Sequence, residues 1–168
     1  MTFNEFKNNV QQWAAERGIY EHSTTEAQLM KALSELGELA DAIIKGDDEA
    51  LKDAVGDVAV CVVNAAHMEG VGLDIVPDLI AAIENGETAI VDNMPQYVVG
   101  WIAEGFGGWL TGDRDIDDTF LAPLFALAGL CMHKGLDFMA CCEHAWHEIK
   151  DRKGRMVPGG AFVKECAA

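Results

Sequence analysis

Basic residues are scarce in this chain. Twelve Lys and Arg stand against 28 Asp and Glu in 168 residues, a net charge of −16 at pH 7. A field of that sign repels nucleic acid and anionic membrane surfaces, so neither is an expected partner. It attracts divalent cations, and it resists a phosphate-bearing ligand unless metal or local basic residues offset it. No apolar run reaches the roughly 18 residues that a membrane-spanning helix needs. The start, MTFNEFKNNV, lacks the basic-then-apolar order of a signal peptide. The five cysteines (Cys61, Cys131, Cys141, Cys142 and Cys166) are odd in number and form no CxxC, which argues against a disulfide frame or a zinc knuckle. No GxxxxGK[ST] occurs, and the glycine-rich GFGGWLTG lacks the lysine, so a P-loop is excluded. No GxSxG or Cys–His catalytic signature stands out either.

What is present is helical periodicity, with only four prolines to interrupt it. Phe3, Phe6, Val10 and Trp13 form one stripe, predicting a first helix over about 2–17 that Arg17-Gly18 ends. Ser23-Thr24-Thr25 is a cap region for a second helix running to about Lys45, with Leu29, Leu33, Leu36, Ala40 and Ile43 as its apolar stripe. Gly46-Asp47-Asp48 is a stop, a turn and a new cap. A third helix is predicted over about 49–68. Its second half, VAVCVVNAAHM, is β-branched enough for a strand, but its length favours a buried helix. IVPDLIAAIENG and MPQYVVGWIAEGFGGWLTG predict two further helices, the latter loosened by glycines. DRDIDD predicts a turn, and TFLAPLFALAGLCMH an apolar helix with Pro123 in its first turn. A last helix is expected over about 137–153, stopped by Gly154, and GRMVPGGAFVKE has hairpin-like character. The expected fold is a single all-α domain, an antiparallel helical bundle over 1–168.

Two segments look alike. A constant shift of 66 places Glu38 on Glu104, Gly46 on Gly112 and His67 on His133, but puts Glu35 on Trp101, Asp57 on Pro123 and Asn64 on Leu130. A duplication would have kept the helices and lost the polar set.

That polar set is the main functional signal. In LSELGEL, Glu35 and Glu38 share a face with Lys31, opposite the leucine stripe. Any solvated helix with a Lys–Glu pair offers as much. The third helix changes the balance. Asp53, Asp57, Asn64 and His67 also share a face, on a helix otherwise apolar nearly all round and therefore buried. Buried carboxylates must be paired, neutralised or metal-bound. The nearest partner face carries Glu35 and Glu38, and converging carboxylates with oxygen-only donors point to Mg²⁺, with Mn²⁺ as an alternative. A buried Asp–Lys network is the structural alternative.

The stretch LMKALSELGELADAIIKGDDEALKDAVGDVAVCVVNAA resembles the MazG-like nucleotide pyrophosphohydrolases of the all-α NTP pyrophosphatase superfamily. That family shows ExxE, a gap, then ExxD on antiparallel helices. Glu35 and Glu38 match ExxE and Asp57 matches the closing aspartate. Lys31 matches a lysine that often precedes the acidic pair, and Asn64 a polar position after the aspartate. The family's third acid falls on Ala54, for which Asp53 is the stand-in. GLDFMACCEHAWHEIKDRKGRMVPGGAFVKE is similar to the C-terminal part of short, often phage-borne members. The resemblance covers about 20–73 and 135–165, leaving 74–134 as an insertion or a degenerate second repeat. It implies an Mg²⁺-dependent enzyme that cuts a nucleoside triphosphate into a monophosphate and pyrophosphate. Glu35, Glu38, Asp53 and Asp57 would hold metal. Lys31, Asn64 and members of the basic cluster Lys150, Arg152 and Lys153 would bind substrate. It also implies a homodimer or homotetramer; the cysteine pattern is that of a reduced chain, expected in the cytoplasm or, if phage-encoded, the host cytoplasm.

The other candidates point to ordinary roles. His144 and His147 are expected at the surface, and HEIKD misses HExxH at Asp151. Trp13, Trp101, Trp109 and Trp146 are expected in the core or an interface. A helical nucleotide-sensing or partner-binding protein with a decayed site is the rival from another class, with Ala54 as its mark. A di-iron bundle would need a Glu-x-x-His pair on two helices, and none falls on the acidic face.

Overall fold

The computed structural model describes residues 1–86, 95–160 and 162–165. Among these the fold is all-α, with one small hairpin at the end. The helices are α1 (Phe3–Glu16), α2 (Ile19–His22), α3 (Thr25–Lys45), α4 (Asp48–Met68), α5 (Val76–Glu84), α6 (Pro95–Thr111), α7 (Ala122–Lys134) and α8 (Phe138–Ile149). A π-helical turn, Asp117–Leu121, leads into α7. Strands β1 (Gly154–Met156) and β2 (Phe162–Lys164) pair antiparallel.

Local chemistry sets the helix ends. Thr2 and Glu5 form a reciprocal capping box on α1, with Glu5 N–H donating to Thr2 Oγ1 at 3.2 Å and Thr2 N–H to Glu5 Oε2 at 2.7 Å. Thr24 caps α3 by accepting from the Ala27 N–H at 3.1 Å, and Asp47 caps α4 by accepting from the Ala50 N–H at 3.1 Å. Gly46 takes a left-handed φ of 66°, which reverses the chain so that α3 and α4 run antiparallel. The buried face of α3 is Leu29, Ala32, Leu36, Leu39 and Ala42; Leu33, Ala40 and Ile43, expected on that stripe, are only half-buried.

The β-branched run of α4 is helical, because α4 is the central element. Every residue from Val58 to Ala66 is buried. Helices α1, α3, α7 and α8 all pack on α4. Burial of this kind contributes about 1.5–3 kcal/mol for each large apolar side chain, which overrides a weak strand propensity. The α8 crossing is tight: a Cβ on Gly56 would lie 2.5 Å from the Cys141 carbonyl oxygen and 2.6 Å from the Ala145 Cβ. Helix α6 packs along α3 and α7 on α4, so the α6–α7 hairpin flanks the α3–α4 hairpin.

Three differences from expectation stand out. Helix α6 is continuous to Thr111 despite its glycines. The last helix ends at Ile149, so Arg152 and Lys153 lie beyond it, and Gly154 opens a strand instead of capping the helix. A short α2 follows the Gly18 turn, which the sequence reading missed. Cysteines 61, 131, 141 and 142 are buried and free; Cys166 lies outside the described residues. Among the described residues no single helix is long and apolar enough to cross a membrane.

Candidate functional site

One cleft collects most of the predicted polar residues. Lys31 and Glu35 reach it from α3, Asp57 and Asn64 from α4, and Arg152 from the segment after α8. Helix geometry supplies the first two pairs of neighbours: Lys31 and Glu35 are one turn apart, and the antiparallel α4 brings Asp57 alongside. Glu35 is 5 % exposed and ion-paired to Lys31, whose own side chain is about half exposed. A buried carboxylate here is tolerated because that ammonium meets it.

Asp57 is less well served. Burial first, then the charges of Glu35 and Asp53, push its carboxyl up to about 7, and Arg152 and Lys31 offset only part of this. Lys31 shows the complementary effect: partial burial works against its charge, but Glu35 outweighs it and raises the pKa. Cys61, on the same cleft wall, is pushed well up by burial and stays a thiol.

Arg152 is held through its backbone. The Arg17 guanidinium donates to the Arg152 carbonyl at 3.1 Å and to the Lys150 carbonyl at 2.9 Å, and lies 4.9 Å over the Trp13 ring. Arg17 therefore fixes the chain just where α8 has run out of partners for its last carbonyls. Trp13 and Phe162 meet edge to face, centroids 5.6 Å apart, and both line the cleft. Trp13 Nε1 and Arg152 Nε are buried with no acceptor among the described residues.

The rest of the predicted set lies elsewhere. Glu38 is exposed and outside the cleft lining. Asp53 also lies outside it, half-exposed with His144 Nε2 3.6 Å from its carboxylate. Lys150 and Lys153 are exposed and off the cleft. His67 is exposed and stacks on Tyr20 at 4.3 Å instead of extending the acidic stripe. Ala54 is 4 % exposed within the apolar core. His147 is at the surface as expected, whereas His144 is half-buried. Trp13 is a core residue that also walls the cleft.

Sequence reasoning missed Arg17, Gln28 and Tyr20. Gln28 lines the cleft, and Tyr20 donates to Asn64 Oδ1 at 2.8 Å. Arg17-Gly18 carried a visible signal only as a helix stop. Among the described residues, no three His, Cys, Asp or Glu side chains stand close enough to hold a metal ion. Glu35 and Asp57 are nevertheless two oxygen donors on adjacent helices, the donor chemistry that a hard divalent cation takes.

The segment that supplies these donors has known relatives. Residues 23–82 match the MazG nucleotide pyrophosphohydrolase domain. The MazG match spans α3, α4 and most of α5, and so includes Gln28, Lys31, Glu35, Glu38, Asp53, Asp57 and Asn64. Trp13, Arg152 and Phe162 lie outside it. The chain is also 36 % identical over 66 residues to an uncharacterized 18.2 kDa protein from the rep-hol intergenic region of Haemophilus phage HP1 (strain HP1c1). That likeness covers 38 % of this chain and 40 % of the phage protein. No solved structure matches.

Proposed function

We propose that this protein is a divalent-metal-dependent nucleoside triphosphate pyrophosphohydrolase that releases a nucleoside monophosphate and pyrophosphate. The observation that carries the reading is the meeting of Glu35 and Asp57 with Lys31 and Arg152 in one cleft, within and beside the MazG-matched segment. Carboxylates alone would repel a triphosphate in a chain of charge −16. Two cations beside two carboxylates give both a phosphate-binding edge and a metal-binding edge.

Glu35 and Asp57 would hold Mg²⁺ or Mn²⁺, with Glu38 and Asp53 as the further ligands of the fuller set. Such an ion, when bound, lowers the pKa of a coordinated water and screens phosphate charge. Lys31 and Arg152 orient the phosphates, and Lys150 and Lys153 add longer-range attraction from the surface. Whichever of these four carboxylates the metal engages least would take the proton of the attacking water. Water adds at phosphorus, the α–β anhydride breaks, and pyrophosphate departs. Trp13, Ile19 and Phe162 give this end of the cleft an apolar wall.

The matching ends of α3 with α6 and of α4 with α7 support reading 74–134 as a degenerate second copy. In that case the α6–α7 hairpin takes the flank of α3 that another protomer's hairpin would occupy in a dimer or tetramer. Light scattering on an active sample distinguishes these assemblies.

A panel of NTPs and dNTPs with Mg²⁺ or Mn²⁺ tests the activity. The expected products are monophosphate and pyrophosphate in equal amounts; release of orthophosphate alone contradicts the assignment. A second reading, nucleotide binding without turnover, is favoured by the buried Ala54 and by the solvent-facing Glu38. Saturable nucleotide binding with no product from any triphosphate would establish it.

A further inference from the structure

Two thiols meet where α7 turns into α8. Cys131 lies in the last turn of α7 and Cys141 near the start of α8, and their Sγ atoms are 3.9 Å apart. Both are free and buried, and neither lines the cleft. The three-residue link between the helices holds them in place. Leu136 N–H donates to the Cys131 carbonyl at 2.8 Å, and Cys141 N–H donates to the Asp137 carbonyl at 3.1 Å. Asp137 also caps α8, accepting from the Ala140 N–H at 3.0 Å.

The two sulfurs are not equivalent. A hydrogen bond from the Cys131 thiol lowers the pKa of Cys141; burial opposes this, and the Lys52 charge adds to the lowering. Cys131 is pushed well up, by that same bond first and by burial next. Cys141 is therefore the sulfur that loses its proton, and the thiolate is the reactive form of a cysteine. Cys142 and Cys61 lack such help, and burial pushes both up. A depression of about 210 Å³ opens between α5 and the α7–α8 link. Its lining includes Ala128, one turn before Cys131, and Phe138, one turn before Cys141. A molecule as small as hydrogen peroxide can thus come within one helical turn of both thiols.

We propose that Cys131 and Cys141 are a modification site for a hydroperoxide, which closes them into a reversible disulfide. The Cys141 thiolate attacks one peroxide oxygen, the O–O bond breaks, and hydroxide leaves to be protonated to water. Cys131 sulfur then attacks the Cys141 sulfenic acid; the S–S bond forms, and the sulfenic hydroxyl leaves with the Cys131 proton as a second water. Two thiols lose two electrons, and one hydrogen peroxide becomes two waters.

Closure bears on α4. It draws the sulfurs from 3.9 Å to about 2.05 Å. The Cys141 carbonyl oxygen is seated on Gly56, 2.5 Å from where a Cβ would stand, so a shift of α8 is felt next to Asp57. The effect on activity rests on the pyrophosphohydrolase reading; the bond does not.

The test uses the full chain, reduced, freed of reductant and treated with one equivalent of hydrogen peroxide. Remaining thiols are alkylated and the chain is digested with trypsin. Cleavage after Lys134 separates the two cysteines, so the bond appears as a link between residues 115–134 and 135–150. Fragmentation between Cys141 and Cys142 shows which of them is joined. The expected link runs from Cys131 to Cys141 within one chain and is reversed by dithiothreitol. Cys131→Ala and Cys141→Ala should each abolish it, and Cys142→Ala should keep it. Should Cys141→Ala fail to fold, Cys131→Ala and the wild-type map decide the matter. Absence of that link, or a link through Cys142, overturns the proposal. Pyrophosphate release by the linked protein is expected to fall at least about fivefold and to return on reduction. Full activity in the linked protein overturns the coupling to α4. A reduced protein with no activity that still forms the link supports the thiol site and refutes the pyrophosphohydrolase reading.

Discussion

Shifted by 66 positions, the α3–α4 and α6–α7 hairpins end together: Lys45 corresponds to Thr111 and Met68 to Lys134. Gly46 and Gly112 follow the first helix of each with positive φ, 66° and 105°. The contents differ. Where the first hairpin has Lys31, Glu35, Asp57 and Asn64, the second has Tyr97, Trp101, Pro123 and Leu130. Glu104 stands at the position corresponding to Glu38 and is exposed like it. The second hairpin has its own depression, of about 390 Å³, lined by Glu104, Asp113, Asp115 and Asp118 and by no Lys or Arg. The first cleft mixes both signs, with Lys31 and Arg152 beside Glu35 and Asp57. Acidic side chains alone are therefore not what sets the candidate site apart. The cations and the buried amides beside them are.

The largest stability effects are expected at two close approaches, one in each hairpin. A Cβ at Gly56 would meet α8 at 2.5 Å, and one at Gly105 would come within 2.2 Å of the Asp118 carbonyl oxygen. Each Gly→Ala change should cost about 3 kcal/mol, or roughly 10 °C in Tm. They should part in function: assayed well below Tm, Gly56→Ala, beside Asp57, loses activity, and Gly105→Ala keeps it. Loss of activity in a folded Gly105→Ala protein would break the contrast between the hairpins.

Next in size are the cations. Arg152→Ala should raise KM about tenfold or more, as expected for a lost charge-assisted bond to phosphate. Lys153→Ala, exposed and off the cleft, should change it less than about threefold. Steady-state kinetics on the two variants sharpens which member of the basic cluster matters.

Asp57 should also mark the first hairpin by pH. Its folded-state pKa is raised to about 7 from an ordinary 3.8, so the folded protein keeps a proton that the unfolded chain gives up. Metal-free stability is then greatest at the acid end of that window and falls as pH rises from about 4 to about 7. Asp57→Asn should remove the fall, gaining a few kcal/mol at most at pH 8 and little near pH 4. Thermal melts in chelator across that range check it; an unchanged slope contradicts it. At the small end, a Cβ at Gly37 meets nothing within 4 Å. Gly37→Ala should stabilise α3 by about 0.5–1 kcal/mol without touching activity, measured by urea denaturation.

The periodic part of the molecule was legible in the sequence. The stripe Phe3, Phe6, Val10, Trp13 and the all-round apolarity of α4 lead directly to helices, and the polar stripe on α4 leads to Asp57 and Asn64. Helical wheels were less reliable for Glu38 and Asp53. A wheel shows which residues share a face but not which neighbouring element lies opposite, and His144 turned out to face Asp53. Arg152 was legible only as one of a cluster, because its place depends on Arg17 holding the carbonyls after α8. Gln28 and Tyr20 carried no pattern at all. Their meaning comes from one hydrogen bond each, to Ser23 and to Asn64, and the second of those links residues 44 positions apart.

The most direct test of the account is pyrophosphate release by Asp57→Ala in Mg²⁺, beside a wild type of matched far-UV helicity. The account predicts a loss of at least about a thousandfold in kcat/KM, in line with removal of a group that touches the reacting centre. Activity within a few fold of wild type in a folded Asp57→Ala protein would contradict it.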